Sequence, residues 1–157
     1  MHPNAALIHR FYDAFAKLDA EIMASCYGDN IVFSDPAFTQ LQGRAASDMW
    51  RMLCSRAKDF SLTYEGVEAD DHQGKAHWVA TYTFSATGRK VVNRIDARFE
   101  FDNGKIVRHT DSFDLWRWAS QALGIKGTLL GWTPLVQNKI RQQAMQGLAK
   151  FQSSHSG

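Results

Sequence analysis

The sequence predicts one α+β domain in which helices come first and an antiparallel sheet follows. Three observations carry this. Apolar residues recur at helical spacing up to Ala57. A two-residue alternation then takes over from Phe60 to about Trp116. Within that stretch, Asp102-Asn103-Gly104-Lys105 is a strong hairpin signal.

Leu7, Ile8, Phe11, Phe15 and Leu18 define the first helix, with Asn4 as its expected N-cap. Asp19 is placed to cap a short second helix carrying Ile22, Met23, Cys26 and Tyr27, and Gly28-Asp29-Asn30 stops it. Ile31-Val32-Phe33 reads as a strand running into Ser34-Asp35-Pro36, so Asp35 falls at a strand end. Gly43 precedes a third helix from about Ala45 to Ala57, with Ala46, Met49, Trp50, Leu53 and Cys54 inward. Strands follow at Phe60–Ala69, His77–Ala86, Val91–Phe101 and Ile106 to about Trp116. An antiparallel sheet needs one face covered, which the helices supply. Trp116 to Leu123 is expected to be helical, Gly124 to Gly131 a Gly-rich connector, and Thr133-Pro134 the start of a last helix reaching Phe151. Leu135, Val136, Ile140, Met145, Leu148 and Phe151 are that helix's apolar residues, and Ser153 to Gly157 is expected to fray.

At 45% hydrophobic and 12% aromatic, the 157 residues suffice for a sizeable core. A formal charge of +2 with scattered basic residues argues against nucleic acid as a partner. No apolar run approaches the roughly 18 residues of a membrane helix, and no membrane partner is expected. Cys26 and Cys54 lack metal or redox spacing, and the first residues lack the pattern of a signal peptide, so a cytoplasmic location is expected. His72 and His77 do not have ligand spacing, and no phosphate loop or nucleophile elbow is present; neither metal nor cofactor is expected.

Strand parity selects the candidate site. Val107, His109, Asp111 and Phe113 share one face of the last strand, which sets an imidazole and a carboxyl between apolar neighbours. On the preceding strand, Asn93, Ile95, Ala97, Phe99 and Phe101 form one set. Arg94, Asp96, Arg98 and Glu100 form a charged set that reads as solvated, unless a bulge reverses the faces. Asp35, Asn93, His109 and Asp111 are therefore the polar candidates. Trp78, Tyr82, Phe84, Phe99, Phe113, Trp50 and Phe33, with Phe11 and Phe101, are the candidate walls of a small-molecule pocket. Each has a plainer reading: Asp35 as a turn cap, His109 as a satisfied structural histidine, Asn93 bonding backbone, the aromatics as core. Asp114 has the opposite parity and suits a helix cap or a pair with Arg117.

The order of elements, with Phe33-Ser34-Asp35-Pro36 and Gly43-Arg44 opening a helix, resembles the nuclear-transport-factor-two-like superfamily over about residues 5 to 118. His109-Thr110-Asp111-Ser112-Phe113-Asp114 resembles the His-x-Asp-x-x-Asp ending of SnoaL-like polyketide cyclases. The resemblance implies a cone: a strongly curved antiparallel sheet around a pocket, closed by the N-terminal helices. It implies a SnoaL-like domain at 1–118 and a helical extension at 119–157 that caps the cone or a homodimer. It implies Asp111 as acid/base residue, and likeness to ketosteroid isomerase implies Asp35 as a base. That enzyme's tyrosine falls on Phe11, with Tyr12 turned elsewhere, and its second acid falls on Ala97. The arginine and second aspartate of limonene epoxide hydrolase fall on Ile95 and Ala97. The expected function is a cofactor-independent acid/base enzyme of isomerase, cyclase or dehydratase type acting on a small apolar carbonyl compound. Asp35, His109 and Asp111 would be catalytic. The alternatives are a homodimeric module that binds such a ligand without turning it over and a scaffold whose cone is filled by its own side chains.

Overall fold

The computed structural model describes residues 1–155. The elements in chain order are α1 (Pro3–Ala16), α2 (Ala20–Ser25), β1 (Tyr27–Ser34), β2 (Leu41–Gln42), α3 (Arg44–Arg56), β3 (Ser61–Ala69), β4 (Gln73–Phe84), β5 (Arg89–Asp102), β6 (Lys105–Ser112), α4 (Leu115–Leu123), α5 (Ile125–Leu130) and α6 (Pro134–His155). The architecture is α+β: a curved, unclosed six-stranded sheet in the order β2-β1-β6-β5-β4-β3, with N-terminal helices and a C-terminal helix. Neighbouring strands are antiparallel except β1 and β6, which run parallel and bring Phe33 beside His109. Register shifts in the β1–β6, β3–β4 and β5–β6 pairs add the local twist that bends such a sheet.

The alternation on β4 and β5 holds along its length. Ala76, Trp78, Ala80, Ile95, Ala97, Phe99 and Phe101 are buried, while Arg94, Asp96, Arg98 and Glu100 are exposed. On the outer face Asp96 bonds His77 at 2.9 Å, not Arg94, and Glu100 bonds Arg108 at 2.9 Å. Asn103 and Gly104 have φ of 51° and 74°, the pair of positive values that a tight two-residue hairpin needs. Helix α1 lays Ile8, Phe11, Tyr12 and Phe15 into the concave side. Each apolar chain so buried contributes roughly 1.5–3 kcal/mol.

Several local expectations give way to tertiary pairing. His2, not Asn4, caps α1, accepting from the Asn4 backbone at 3.0 Å; the Asn4 amide instead donates to the Asp70 carbonyl at 3.0 Å. Leu18, Ile22 and Leu53 lie at the surface, Leu18 because the chain turns there at φ 57°. Tyr27 opens β1 instead of ending α2, since β6 captures it as a strand partner of Ile106. A bulge in β6 puts Ile106 inside and leaves Val107 half-buried against Gly28, so Val107 does not share the face of His109 and Asp111 as parity predicted. The expected connector from Gly124 to Gly131 contains a helix, α5. Helix α6 continues through Ser153 to His155, where the His155 ring stacks on Phe151 at 4.0 Å. The rest of the expected fraying segment, residues 156–157, lies outside the described residues. Only Leu148 and Phe151 of that helix's apolar residues are buried.

Candidate active site

A hydrogen-bonded chain crosses the interior. The Trp50 indole Nε1 donates to the Tyr27 hydroxyl at 2.8 Å, and that hydroxyl lies 2.7 Å from His109 Nδ1. His109 Nε2 lies 2.9 Å from Asp111 Oδ1, which also receives the Trp78 indole at 3.5 Å. An indole can only donate, so Tyr27 accepts from Trp50. An ionised Asp111 can only accept, so His109 Nε2 carries a proton and donates it, and Nδ1 of the neutral imidazole then accepts the Tyr27 proton. All the donors point toward Oδ1 of the carboxyl. Each bond in such a buried network contributes on the order of 1 kcal/mol net, and more is lost if one partner is removed.

Burial fixes what each member can touch. His109 has no exposed surface, and its ring is enclosed by Phe99 at 4.5 Å, Phe33 at 5.1 Å, Phe11 at 5.5 Å and Trp50 at 6.1 Å. It holds Asp111 in place. Phe33, Trp50 and Phe99, expected as pocket walls, close around the imidazole because edge-on and stacked rings fill the space beside it. Asp111 is 4% exposed and stands beside Ala97 on β5.

Asp35 lies at the end of β1. Its Oδ1 accepts the backbone N–H groups of Ala37 and Phe38 at 2.7 and 2.6 Å, so it does cap the turn before Phe38. It is also crowded by protein. Desolvation pushes its carboxyl up to about 7, the charge of Asp111 adds to the rise, and the two backbone bonds oppose it. The half-buried inward residues Tyr82, Phe84, Asn93 and Phe113 stand with Asp35 at one end of the sheet, where β1, β4 and β6 finish and β5 begins. The Tyr82 hydroxyl accepts the Trp118 indole at 2.8 Å, and Phe84 meets the Trp118 ring edge-on at 5.2 Å. Asn93 has no side-chain hydrogen bond among the described residues. Arg141 of α6 donates to the Pro36 carbonyl at 2.9 Å, which ties the last helix to this end. Of two recesses of about 1120 and 460 Å³, the larger is bordered by Tyr27 and the smaller by Phe99; neither is lined by Asp35, His109 or Asp111.

The structure adds Tyr12 and Tyr27 to the site. Tyr12 does not turn away: it is fully buried, its hydroxyl has no partner among the described residues, and burial and the charge of Asp111 raise its pKa well above the ordinary phenol value. Its spacing from Ile8 and Phe15 puts it on the apolar stripe, a signal present in the sequence. Nothing local marks Tyr27, whose place depends on the distant strand β6.

The SnoaL-like domain model matches residues 8–109, well over half of the chain. The chain belongs to the SnoaL-like domain family. The match takes in Tyr12, Tyr27, Asp35, Asn93 and His109 and stops just short of Asp111. No curated protein matches this SnoaL-like chain. Among solved structures it is similar to an LEH-like epoxide hydrolase of M. tuberculosis, at 20% identity and TM-score 0.65, covering 84% of this chain and 96% of that one. It is also similar to a provisionally named polyketide cyclase of Xanthomonas campestris pv. campestris, at 20% identity and TM-score 0.64, covering 76% and 96%. A third is a hypothetical protein of Catenulispora acidiphila with a ketosteroid isomerase-like fold, in complex with trimethylamine, at 12% identity and TM-score 0.67, covering 82% and 97%. At such identities these likenesses establish the shared fold alone.

Proposed function

We propose that this SnoaL-like domain is a cofactor-independent acid/base enzyme that moves a proton next to the carbonyl of a small, largely apolar compound. The observation that carries this is a pair of carboxyls held differently: buried Asp111 at the end of a donor chain, and half-buried Asp35 poised near neutrality. In this reading Asp111 takes the proton, and Asp35 returns one at a second position, giving isomerisation, cyclisation or dehydration. His109 is a positioning residue, since its burial keeps it from substrate. The half-buried Asn93 amide, which has no side-chain hydrogen bond among the described residues, would receive the substrate oxygen as charge builds on it. Tyr82, Phe84 and Phe113 would form the entrance, with Trp78 beneath them against Asp111.

The parent protein should exchange the α-protons of some members of a panel of small apolar ketones and polyketide-like dicarbonyls in D2O, followed by proton NMR. Its rate should change with pH around 7, where Asp35 titrates. A panel that binds, seen as ligand-induced shifts, but never exchanges or turns over would replace this reading with that of a ligand-holding module.

A further inference from the structure

We propose that α5 and the turns on either side of it dock on an anionic lipid surface. The chemistry of the C-terminal part differs from that of the rest. From Leu115 onward the chain contains Arg117, Lys126, Lys139, Arg141 and Lys150 and no aspartate or glutamate, while the preceding part has thirteen basic against sixteen acidic side chains. The same part bears the largest exposed apolar side chains after Met1: Leu135 at 82%, Ile125 at 78%, Trp132 at 67% and Leu129 at 64%.

These residues face outward because of how α5 is seated. Gly127 and Gly131 are buried against α4; a Cβ on Gly127 would overlap the Ala119 carbonyl, and one on Gly131 would lie 2.9 Å from the Ala119 side chain. Glycine thus fills the inner side, and every large apolar residue is left on the outer one. The segment is also fixed in place. The Trp116 indole donates to the Thr128 carbonyl at 3.0 Å, and the Arg89 Nε donates to the Gln121 carbonyl at 2.7 Å. The Trp132 indole N–H is satisfied by the Leu129 carbonyl at 3.0 Å, so its ring is offered without an unpaired donor.

Charge decides the occupant. A second copy using this same patch in a two-fold contact would set Lys126 and Arg89, whose guanidinium lies beside Gly124, against their own counterparts. A partner must accept apolar side chains and supply negative charge. A projecting helix and turn carrying leucine, isoleucine and tryptophan beside Lys126, with the Arg89 guanidinium against Gly124, has the composition of a segment that lies in the headgroup layer, parallel to the membrane and not across it. No helix of the described residues is long and apolar enough to cross a membrane. The expectation of no membrane partner is thereby narrowed to no membrane span.

The test is co-sedimentation of the full chain with vesicles of phosphatidylcholine alone or with about one third phosphatidylglycerol, at low and high salt. The expected result is binding to the anionic vesicles that weakens with salt. The double variant Leu129→Ser, Trp132→Ser should bind at least about tenfold more weakly, and Lys126→Glu about tenfold more weakly. All three positions are exposed, and matching thermal unfolding curves verify that the variants fold. Absence of binding to anionic vesicles overturns the proposal, as does equal binding by folded variants. A dimer in sedimentation velocity that the double variant dissociates also overturns it, since the patch would then be a contact between copies.

Discussion

Asp111→Asn is expected to lower kcat by about 10²–10⁴-fold on the compound that the panel identifies, with KM changed far less. The substitution keeps the shape of the site. An asparagine Oδ1 can still accept from His109 Nε2 and from the Trp78 indole, the two groups that Asp111 Oδ1 receives now. An amide has no basic oxygen, however, so the proton has nowhere to go. The chain from Trp50 through Tyr27 and His109 would then end on a group that cannot change protonation. Steady-state kinetics with a matched thermal unfolding curve separate this loss from damage to the fold. A folded Asp111→Asn protein that keeps more than about a tenth of kcat would remove Asp111 from its role.

The second large effect concerns stability, and Asp35→Asn reads it. In the unfolded chain Asp35 ionises near its ordinary value of 3.8, while in the folded chain its carboxyl stays protonated up to about 7. The folded state therefore binds the extra proton between those values. Stability falls as pH rises through that window and levels off above it. The unscreened limit is on the order of 4 kcal/mol, at 1.36 kcal/mol per unit. Because Asp35 is only half-buried, water screens part of it, and roughly 2–3 kcal/mol is the expected size. Asparagine removes the charge and keeps an oxygen for the Ala37 and Phe38 N–H groups. The variant should match the parent near pH 4 and exceed it at pH 8 to 9, by roughly 4–12 °C in Tm. Denaturation curves at several pH values measure this, and parallel pH profiles for the two proteins would contradict it.

Much of this site was legible because β4, β5 and the end of β6 keep a strict two-residue period. That period put His109, Asp111, Asn93 and Trp78 inside and Arg94 and Asp96 outside without knowledge of any partner strand. Asp35 was legible through the proline that follows it, and its cap role and its burial coexist. What escaped was non-local. Tyr27 continues the helical spacing of Met23, and only parallel pairing with β6 makes it a strand residue under His109. The bulge at Ile106 and Val107 depends on the β5 register, which no local pattern states. Tyr12 is inward for a different reason: the apolar stripe of α1 is wide enough to bury both it and its neighbour Phe11. Helix α5 was hidden by its glycines, which usually break helices but here allow close seating on α4.

The proposed chemistry needs a half-buried carboxyl, Asp35, that exchanges its proton near neutrality under the field of Asp111. Titration of the ¹³C-labelled aspartate carboxyls by NMR measures that directly. The account predicts an Asp35 midpoint near pH 7 that moves down in the Asp111→Asn protein. An Asp35 midpoint close to about 4, the same in both proteins, would contradict it.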